Sequence, residues 1–339
     1  MIRYKCVKFI PYRHLASFWL LATWLSLVLT VVFLHQFLTI AKSNIILIKH
    51  QQGEKPSAAI PSIDLRVINK EVQSTSSRAA DRRGPHQKVI SYSIYGNFSL
   101  TDVVHKYLRP FKETIKIIPL IYPGWIVRIY HNLTKDETET WKFLKNTLDL
   151  GAGHVDLCNA TDIIEKRKLA DLFAMTWRWL PLLDDMVDTL MSRDSDSNII
   201  PREKDAVREW LDSNKTFHIM RDHPAHCRFI VGCCWGVKIS QDRSSIVNAS
   251  KKMFTENHLH EYDYDQKLLD KLIWPIAITN MVVHDSYCCE KIPFSHHPFP
   301  TQRRDMLFIG IRGKPEEELK FPCPPKCRPA NATSKWSFC

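Results

Sequence analysis

The chain has 339 residues, of which 45% are hydrophobic and 24% charged, and its formal net charge is +11. The positive charge is concentrated near the N-terminus: residues 1–13 carry four Lys or Arg and no acid, and residues 41–88 carry nine Lys or Arg against four acids. Only about +2 remains for residues 89–339, which excludes a basic nucleic-acid-binding face there.

The N-terminal segment has the pattern of a membrane anchor. Residues 15–34 form an uncharged run, LASFWLLATWLSLVLTVVFL, which is long enough to cross a bilayer as one helix. The basic residues before it should stay in the cytoplasm and direct the C-terminus across the membrane. A cleaved signal peptide is the alternative, but bulky residues follow the run where small ones would mark a cleavage site. We predict a cytoplasmic tail at 1–14 and a transmembrane signal anchor at 15–38.

Six N-x-S/T sequons follow the predicted anchor. They begin at Asn97, Asn132, Asn159, Asn214, Asn248 and Asn331. Half of the twelve asparagines therefore have Ser or Thr two positions on, and none has Pro between. Because such sequons are acceptors for N-glycosylation, this excess indicates a secretory lumen. It agrees with the charge pattern, and we predict a single-pass type II protein of the Golgi (or ER) membrane.

The cysteine content is consistent with a lumenal domain. Nine of the ten cysteines lie beyond the anchor, at positions 158, 227, 233, 234, 288, 289, 323, 327 and 339. Disulfides persist in an oxidising lumen, so we expect bridges. Because nine is odd, one cysteine is free or pairs between chains, which leaves a disulfide-linked or non-covalent homo-oligomer open. Cys323 and Cys327 could instead bind zinc with His296 and His297, although disulfides are favoured.

The first elements can be placed from the pattern of apolar residues. Residues 39–88 are polar and lack apolar periodicity, which predicts a flexible stem. Strands are predicted at 89–95 and 125–130, with a helix at 100–118 that is kinked at Pro110. Thr134 and Glu137 form a capping box that opens a helix to about Leu148.

The second half continues the alternation of strands and helices. Helices are predicted at 163–180, from Pro201 onward and at 264–274, and strands at 186–191, 217–221, 229–238 and 281–284. This order indicates an α/β fold, Rossmann-like, with a mixed, mostly parallel sheet flanked by helices. Residues 89–339 should form one lumenal domain that ends in a Cys- and Pro-rich tail.

Asp194-Ser195-Asp196 follows the strand predicted at 186–191. An Asp-x-Asp at the carboxyl end of a strand places hard oxygen ligands in the crevice where open α/β sheets bind ligands. Such oxygens suit Mn²⁺ or Mg²⁺, which can bridge to a substrate diphosphate. Solvated loops also contain this tripeptide by chance. The motif therefore gains its weight from the anchor, the sequons and the fold.

Several motifs in order make residues 89–312 resemble the GT-A-type glycosyltransferases. Ser93–Asn97 is similar to the strand and small turn that open the nucleotide site, and Trp177–Leu183 to the Arg-bearing helix before the Asp-x-Asp strand. Tyr264–Leu269 and 282–285 match, in order, the Asp-Gln helix start and the metal-binding His of retaining enzymes of the glycogenin and lipopolysaccharide galactosyltransferase type.

The chain also departs from those retaining enzymes. Ser192-Arg193 replaces their usual strand end before the Asp-x-Asp, and the Gly and Lys-Pro-Trp that follow their last His are missing after His284. The stretch at 217–224 is closer to GT-A-like proteins of invertebrates and microbes. The identity of the sugar therefore cannot be transferred from the resemblance.

The resemblance implies a role for nine residues. Its metal ligands are Asp194, Asp196 and His284; its nucleotide-binding residues are Tyr95, Gly96 and Arg178; and its residues on the acceptor and sugar side are Asp222, Asp265 and Gln266. Structural alternatives stay open for four of them. His284 could be a packed core residue, Arg178 could pair with Asp184 or Asp185, Asp222 could cap a turn, and Asp265 could stabilise a helix N-terminus.

The resulting hypothesis is a metal-dependent glycosyltransferase of the hexosyltransferase type. It would move a sugar from a nucleotide-sugar donor to a glycan, protein or lipid acceptor, and the motif order favours a retaining mechanism. A cation would stabilise the charge on the leaving diphosphate. The alternatives are a catalytically silent lumenal binding or scaffold protein on the same fold, and a hydrolase with paired carboxylates. The close spacing of Asp194 and Asp196 suits one metal better than two carboxyls that flank a glycosidic bond.

Overall fold

Strands and helices alternate along the described part of the chain, where seven strands join one sheet. A computed structural model describes residues 74–98, 100–134, 137–148, 153–292, 296–303, 306–311, 319, 321–332 and 334–339. They fall within one compact unit, Glu71–Cys339. The strands are β1 Gln87–Ser93, β2 Ile126–His131, β3 Val155–Asn159, β4 Val187–Ser192, β5 Phe217–Arg221, β6 Trp235–Lys238 and β7 Met281–Asp285.

Most of the helices lie between these strands, while Arg78–Asp81 precedes β1 and two short helices follow β7. The α-helices are α1 Arg78–Asp81, α2 Thr101–Val103, α3 Arg109–Ile121, α4 Thr138–Leu148, α5 Ala160–Arg167, α6 Pro201–Asp212, α7 Arg243–Phe254, α8 Tyr264–Leu268 and α9 Trp274–Ala277. One π-helical turn, Val104–Leu108, joins α2 to α3, and another, Leu269–Ile273, joins α8 to α9. Short 3₁₀ helices add Ala174–Leu183, Pro224–His226, Ile239–Gln241, Pro325–Cys327 and Ser334–Phe338.

The strand order across the sheet is β3-β2-β1-β4-β6-β5-β7. Every pair is parallel except the two that involve β6, which runs antiparallel to both β4 and β5. The predicted mixed, mostly parallel sheet flanked by helices is therefore confirmed, and it is consistent with a Rossmann-like fold. Because six strands run the same way, their carboxyl ends meet at one edge of the sheet.

Both faces of the sheet are buried. Successive residues of a strand point to opposite faces, and accordingly Val89 and Leu190 belong to one apolar cluster and Ile90 and Met191 to another. The first cluster includes α7 and the 3₁₀ helix Ala174–Leu183, and the second includes α3 and α6. Burial on both faces explains why the strands read as continuous apolar runs.

Three elements differ from their predictions. β3 was not predicted. The helix predicted at 163–180 is two pieces, because α5 ends at Lys168 in the left-handed region (φ 51°) and a 3₁₀ helix begins at Ala174. The strand predicted at 229–238 is only Trp235–Lys238, and it is preceded by a disulfide between Cys233 and Cys234. Pro110, where a kink is predicted, lies in the first turn of α3, which follows the π-helical turn Val104–Leu108.

The fold begins before residue 89, the predicted start of the domain. Thr75 is fully buried, and its backbone N–H and hydroxyl donate hydrogen bonds to Asp184 at 2.9 and 3.1 Å. Arg83 forms an ion pair with Asp156 at 2.9 Å. Residues 74–88 are therefore part of the fold rather than of the predicted stem.

The C-terminal part is held by disulfides, as the cysteine content predicted. Cys227–Cys288, Cys289–Cys327 and Cys323–Cys339 join this region, beside the adjacent pair Cys233–Cys234. The zinc alternative is wrong, because Cys323 and Cys327 are bonded to other cysteines. Cys158 is the free cysteine of the described residues, and its burial removes it as a bridge to a second chain.

The predicted membrane anchor, 15–38, lies outside the described residues. Within the part of the chain that the structure describes, no helix is both long and apolar enough to cross a membrane.

Candidate functional site

A cavity of about 330 Å³ opens at the carboxyl ends of β1 and β4. It includes the complete Asp-x-Asp motif and the turn after β1. Its walls are formed by Ser93, Ile94, Tyr95, Gly96, Phe98, Val103, Tyr107, Leu108, Met175, Arg178, Asp194, Ser195, Asp196 and Tyr262. Of the nine residues that the resemblance implied, five lie here: Tyr95, Gly96, Arg178, Asp194 and Asp196.

The pairing of β1 with β4 brings the two functional turns together. The strands are parallel, with Ser91 opposite Ser192, so the residues that follow each strand leave the sheet side by side. Gly96 has a φ of +102°, a conformation that L side chains rarely adopt, and this explains glycine in the turn after β1. After β4, the N–H of Ser197 donates to the carbonyl of Asp194 at 3.1 Å and closes the Asp-x-Asp turn.

Arg178 links the two turns to a third element. Its backbone N–H donates to Ser93 Oγ at 2.9 Å, which fixes the 3₁₀ helix against the end of β1. Its guanidinium donates through Nη1 to Asp194 and through Nη2 to Asp265 Oδ2 at 3.1 Å. The alternative partner Asp184 instead forms a buried ion pair with Arg128 at 2.8 Å. Arg178 is therefore a residue of the cavity and not a helix-end counter-ion.

Asp265 and Gln266 reach the same cluster from the start of α8. Gln266 Nε2 donates to Asp265 Oδ2 at 3.0 Å, and Gln266 Oε1 accepts the N–H of Gly232 at 3.2 Å. Asp265 is 1% exposed, and its Oδ1 has no hydrogen-bond partner among the residues that the structure describes. Asp265 thus contacts Arg178, and Gln266 contacts Asp265, but neither residue lines the cavity that they were predicted to border.

Aromatic rings add apolar surface to the cavity. Tyr95 is 41% exposed and packs edge-on against Trp177, with 6.2 Å between ring centroids. Partial burial raises the pKa of Tyr95 to about 12, so its hydroxyl stays a hydrogen-bond donor. Tyr107 and Tyr262 also line the cavity, and neither was predicted from the sequence because isolated tyrosines carry no motif. Tyrosine rings offer flat apolar contact area, and their hydroxyls can form hydrogen bonds to a ligand.

His284, predicted as the third metal ligand, lies elsewhere. Its side chain is fully buried, its Nδ1 lies 2.9 Å from His218 Nε2, and its Nε2 lies 3.4 Å from Glu209. Burial lowers its pKa, and none of its contacts involves Asp194. The structural alternative, a packed core histidine, is the one that the structure shows, and the metal-ligand prediction is corrected accordingly.

Asp222, predicted on the acceptor side, is part of a buried ion cluster. Its carboxylate accepts from Arg202 at 3.2 Å, Arg303 at 2.5 Å, the Ser286 hydroxyl at 2.7 Å and the Ile309 N–H at 3.1 Å. Although burial acts to raise its pKa, the two guanidinium groups hold the pKa below its usual range. The prediction is corrected: Asp222 does not line the cavity, and it joins four segments of the fold.

The carboxylates of the cavity can contribute only part of a metal site. Among the described residues, no three His, Cys, Asp or Glu side chains are grouped closely enough to hold a metal ion. Asp194 and Asp196 alone nevertheless fit Mg²⁺ or Mn²⁺, since such ions are commonly bound by one or two carboxylates, with phosphate oxygens and water as the other ligands. The two carboxylates therefore fit such an ion only as part of its ligand set.

Comparison with known proteins gives little further information. No protein-family model matches the chain, and no curated protein matches its sequence. Among solved structures, the chain is similar to 4-diphosphocytidyl-2C-methyl-D-erythritol synthase from Anaerococcus prevotii, with a TM-score of 0.38 and 9% identity over 61% of this chain and 89% of that one. A similarity this weak carries no argument about function.

Proposed function

We propose that the chain is a metal-dependent glycosyltransferase that uses a nucleotide-sugar donor. One observation carries the proposal. Asp194 and Asp196 share a cavity with Arg178 and the exposed Tyr95, at the carboxyl ends of β1 and β4. That edge of an open α/β sheet is where ligands bind. The acidic turn, the guanidinium and the aromatic surface correspond to the cation, the diphosphate and the base of such a donor.

Asp194 and Asp196 would hold the cation, Mn²⁺ or Mg²⁺. When bound, the cation supplies charge stabilisation to the departing diphosphate. Arg178 adds a planar donor that suits phosphate oxygens, and it is anchored by its backbone to Ser93. Asp265, through its bond to Arg178, orients that guanidinium. Tyr95 and Gly96 line the wall where the nucleoside would lie.

The wider setting is part of the same proposal. The predicted anchor, the six sequons and the disulfides support a type II protein of the Golgi or ER membrane with a lumenal catalytic domain. The acceptor would be a glycan, a protein or a lipid. The preference for a retaining mechanism is withdrawn, because it rested on His284 as a metal ligand. The GT-A assignment keeps its support from the sheet and the Asp-x-Asp turn.

A catalytically silent binding or scaffold protein is the second candidate. It is favoured by one contact: Arg178 pairs with Asp194, so this carboxylate has a counter-charge without a cation. A protein that kept the fold and lost turnover could retain this ion pair. The two candidates differ in whether nucleotide is released from a donor.

A donor screen tests the proposal. Purified full-length protein would be incubated with a panel of nucleotide sugars, and UDP or GDP release would be measured with Mn²⁺ and with EDTA. Asp194→Asn and Asp196→Asn should each lower cation-dependent release at least about tenfold, because each removes a charged oxygen ligand. The thermal unfolding of Asp194→Asn should stay close to that of wild type, since Asp194 is one-third exposed and Arg178 keeps Asp265 as a counter-charge.

Asp171→Asn is the matched control. Its carboxylate is largely exposed, pairs with His260 at 3.3 Å, and lies outside the cavity. It should release nucleotide at the wild-type rate. Full activity in both Asp-x-Asp variants would contradict the proposed site. Donor binding by the wild type without any nucleotide release would favour the silent candidate.

A further inference from the structure

Gly232 lies at the point where three polar side chains of the candidate site converge. It is buried in the segment that leads into β6, and it directly precedes the disulfide-bonded pair Cys233–Cys234. A Cβ added to it would lie 2.4 Å from Gln266 Nε2, 2.9 Å from Arg178 Nη2 and 3.0 Å from Asp265 Oδ2. Its φ is not in the left-handed region. Glycine is therefore favoured at this position by the neighbouring side chains, which leave little room for a Cβ, and not by the backbone conformation.

The backbone of Gly232 is bonded to both sides of the site. Its N–H donates to Gln266 Oε1 at 3.2 Å, and its carbonyl accepts the Ser192 hydroxyl at 2.7 Å. Ser192 is the last residue of β4, immediately before the Asp-x-Asp turn, and its Oγ also accepts Trp179 Nε1 at 2.9 Å. Gly232 thus joins the strand that carries the motif to the helix start that carries Asp265 and Gln266.

A chain of hydrogen bonds leads from Gly232 to the Asp-x-Asp motif. It passes from the Gly232 N–H to Gln266, from Gln266 to Asp265, and through the guanidinium of Arg178 to Asp194. Asp265 and Arg178 are almost fully buried, with side-chain exposures of 1% and 5%. Buried charges of this kind depend on the geometry of their partners. A displacement at Gly232 therefore reaches Asp194.

We propose that Gly232 is a positioning residue of the site: the absence of a side chain there allows Gln266, Asp265 and Arg178 to close on Asp194. The inference rests on the proposed function and adds a residue that does not touch the cavity. The atoms that a Cβ would meet are the ends of flexible side chains, so a substitution moves them and leaves the backbone in place. The expected defect is in the site and not in the fold.

The test compares Gly232→Ala with Gly153→Ala in the full-length protein. A Cβ at Gly153 meets nothing within 4 Å, so this control should behave as wild type. Mn²⁺ binding is measured by the quenching of its paramagnetic resonance signal in the presence of UDP or GDP, and donor turnover is measured separately. Gly232→Ala should lower Mn²⁺-dependent nucleotide affinity about ten- to a hundredfold, as loss of a supporting contact to a metal site does. Both variants should unfold in one cooperative transition, so that the affinities compare folded proteins.

A double variant separates positioning from general damage. Gln266→Ala removes the atom that a Cβ at Gly232 would meet first, at 2.4 Å. If the two residues act through that contact, the losses in Gly232→Ala and Gln266→Ala will not add in Gly232→Ala/Gln266→Ala. Additive losses would overturn the inference, as would a Gly232→Ala protein that binds like the Gly153→Ala control.

Two further outcomes are also decisive. If Gly232→Ala does not fold, the Gln266→Ala variant is tested alone, with Gln241→Ala as a control outside the cluster. A Gln266→Ala protein with the nucleotide affinity of that control would overturn the inference. A wild-type protein without any Mn²⁺-dependent nucleotide binding would contradict the proposed function itself. Wild-type binding with no effect of Gly232→Ala would contradict only the role of Gly232.

Discussion

The electrostatics of the candidate site depend on the guanidinium group of Arg178. It donates to Asp194, which is one-third exposed in the cavity, and to Asp265, which is almost fully buried. Removing it would leave Asp265 buried without its counter-charge, and this is costly in a protein interior. The charges of the site are therefore coupled, and substitutions among these residues need to be interpreted in pairs.

Buried histidines make the stability of the fold depend on pH. His131, at the end of β2, is 2% exposed, and its Nδ1 accepts the Leu133 N–H at 3.1 Å. Burial lowers its pKa from the usual value to about 4. Because the unfolded chain binds this proton at about pH 6.5, the stabilisation is complete above that pH and is lost as the pH falls toward 4.

We predict that His131→Asn flattens this dependence. Asn can still accept the N–H two residues on, as in an Asx turn, but it does not titrate. Wild type should lose about 2 kcal/mol more of its free energy of unfolding than the variant between about pH 7 and pH 5. Denaturant unfolding at the two pH values measures the difference. The exposed His105→Asn is the control, and equal slopes in wild type and His131→Asn would refute the assignment.

At the residue scale, the order of motifs grouped most of the candidate residues, but Asp222, which directly follows β5, and His284, within β7, lie elsewhere. Asp194, Asp196, Arg178, Asp265 and Gln266 all meet at the predicted edge of the sheet. Motif order did not reveal the environment of a strand residue. His284 lies within β7 and is covered by Glu209 of α6 and by Phe299, which are distant in sequence.

At the scale of elements, β6 and α6 pack closely enough to require glycine. A Cβ on Gly236, within β6, would lie 2.9 Å from Trp210 Cη2 and 3.2 Å from the carbonyl of Leu190 in β4. Trp210 is fully buried, and its ring stacks on His218 of β5 at 5.2 Å between centroids. Neither the indole nor the strand carbonyl can move without disturbing this layer.

We predict that Gly236→Ala destabilises the fold. Overpacking of a buried contact of this kind costs about 1 to 3 kcal/mol. The free energy of unfolding, measured with denaturant, should fall by this amount relative to Gly153→Ala, whose added Cβ meets no atom within 4 Å. A Gly236→Ala protein as stable as that control would show that α6 can move away from β6. This defect in the fold contrasts with the defect in the site expected of Gly232→Ala.

Elements that depend on long-range contacts were the ones that the sequence did not predict. β3 contains five residues with Asp156 at its second position, so it has no clear alternation. It is a strand because it pairs with β2 and because Arg83 neutralises Asp156. The segment before Trp235 is apolar enough for a strand. The Cys233–Cys234 disulfide lies directly before the first residue of β6, and apolar periodicity cannot predict such a bridge.

At the scale of the whole molecule, the sequons differ in whether they can carry a glycan in the folded protein. Asn214 follows α6 and is exposed, and Asn248 is exposed on α7. Asn159 is engaged: its Oδ1 accepts the Asp162 N–H and its Nδ2 donates to the Leu133 carbonyl, both at 3.2 Å. A glycan on that nitrogen would displace the Leu133 carbonyl.

We predict glycans at Asn214 and Asn248 and an unmodified Asn159 in protein secreted or retained by a eukaryotic host. Peptide N-glycosidase converts each occupied asparagine to aspartate, and mass spectrometry of the peptides identifies the sites. Asn214→Gln should speed migration on a gel by one glycan, and Asn159→Gln should not. The absence of glycans at every sequon would remove the main support for a lumenal domain.

The two edge strands of the sheet, β3 and β7, are each protected against pairing with a second molecule. β7 is covered on its outer side by residues 296–299, where the His297 N–H donates to the Val283 carbonyl at 2.7 Å and the His297 carbonyl accepts the Asp285 N–H at 3.0 Å. β3, at the other border, is only five residues long and ends at the start of α5. A short or covered border offers little backbone for strand addition by a second molecule. The sheet of the described residues therefore has little tendency toward edge-to-edge pairing, even when the protein is concentrated.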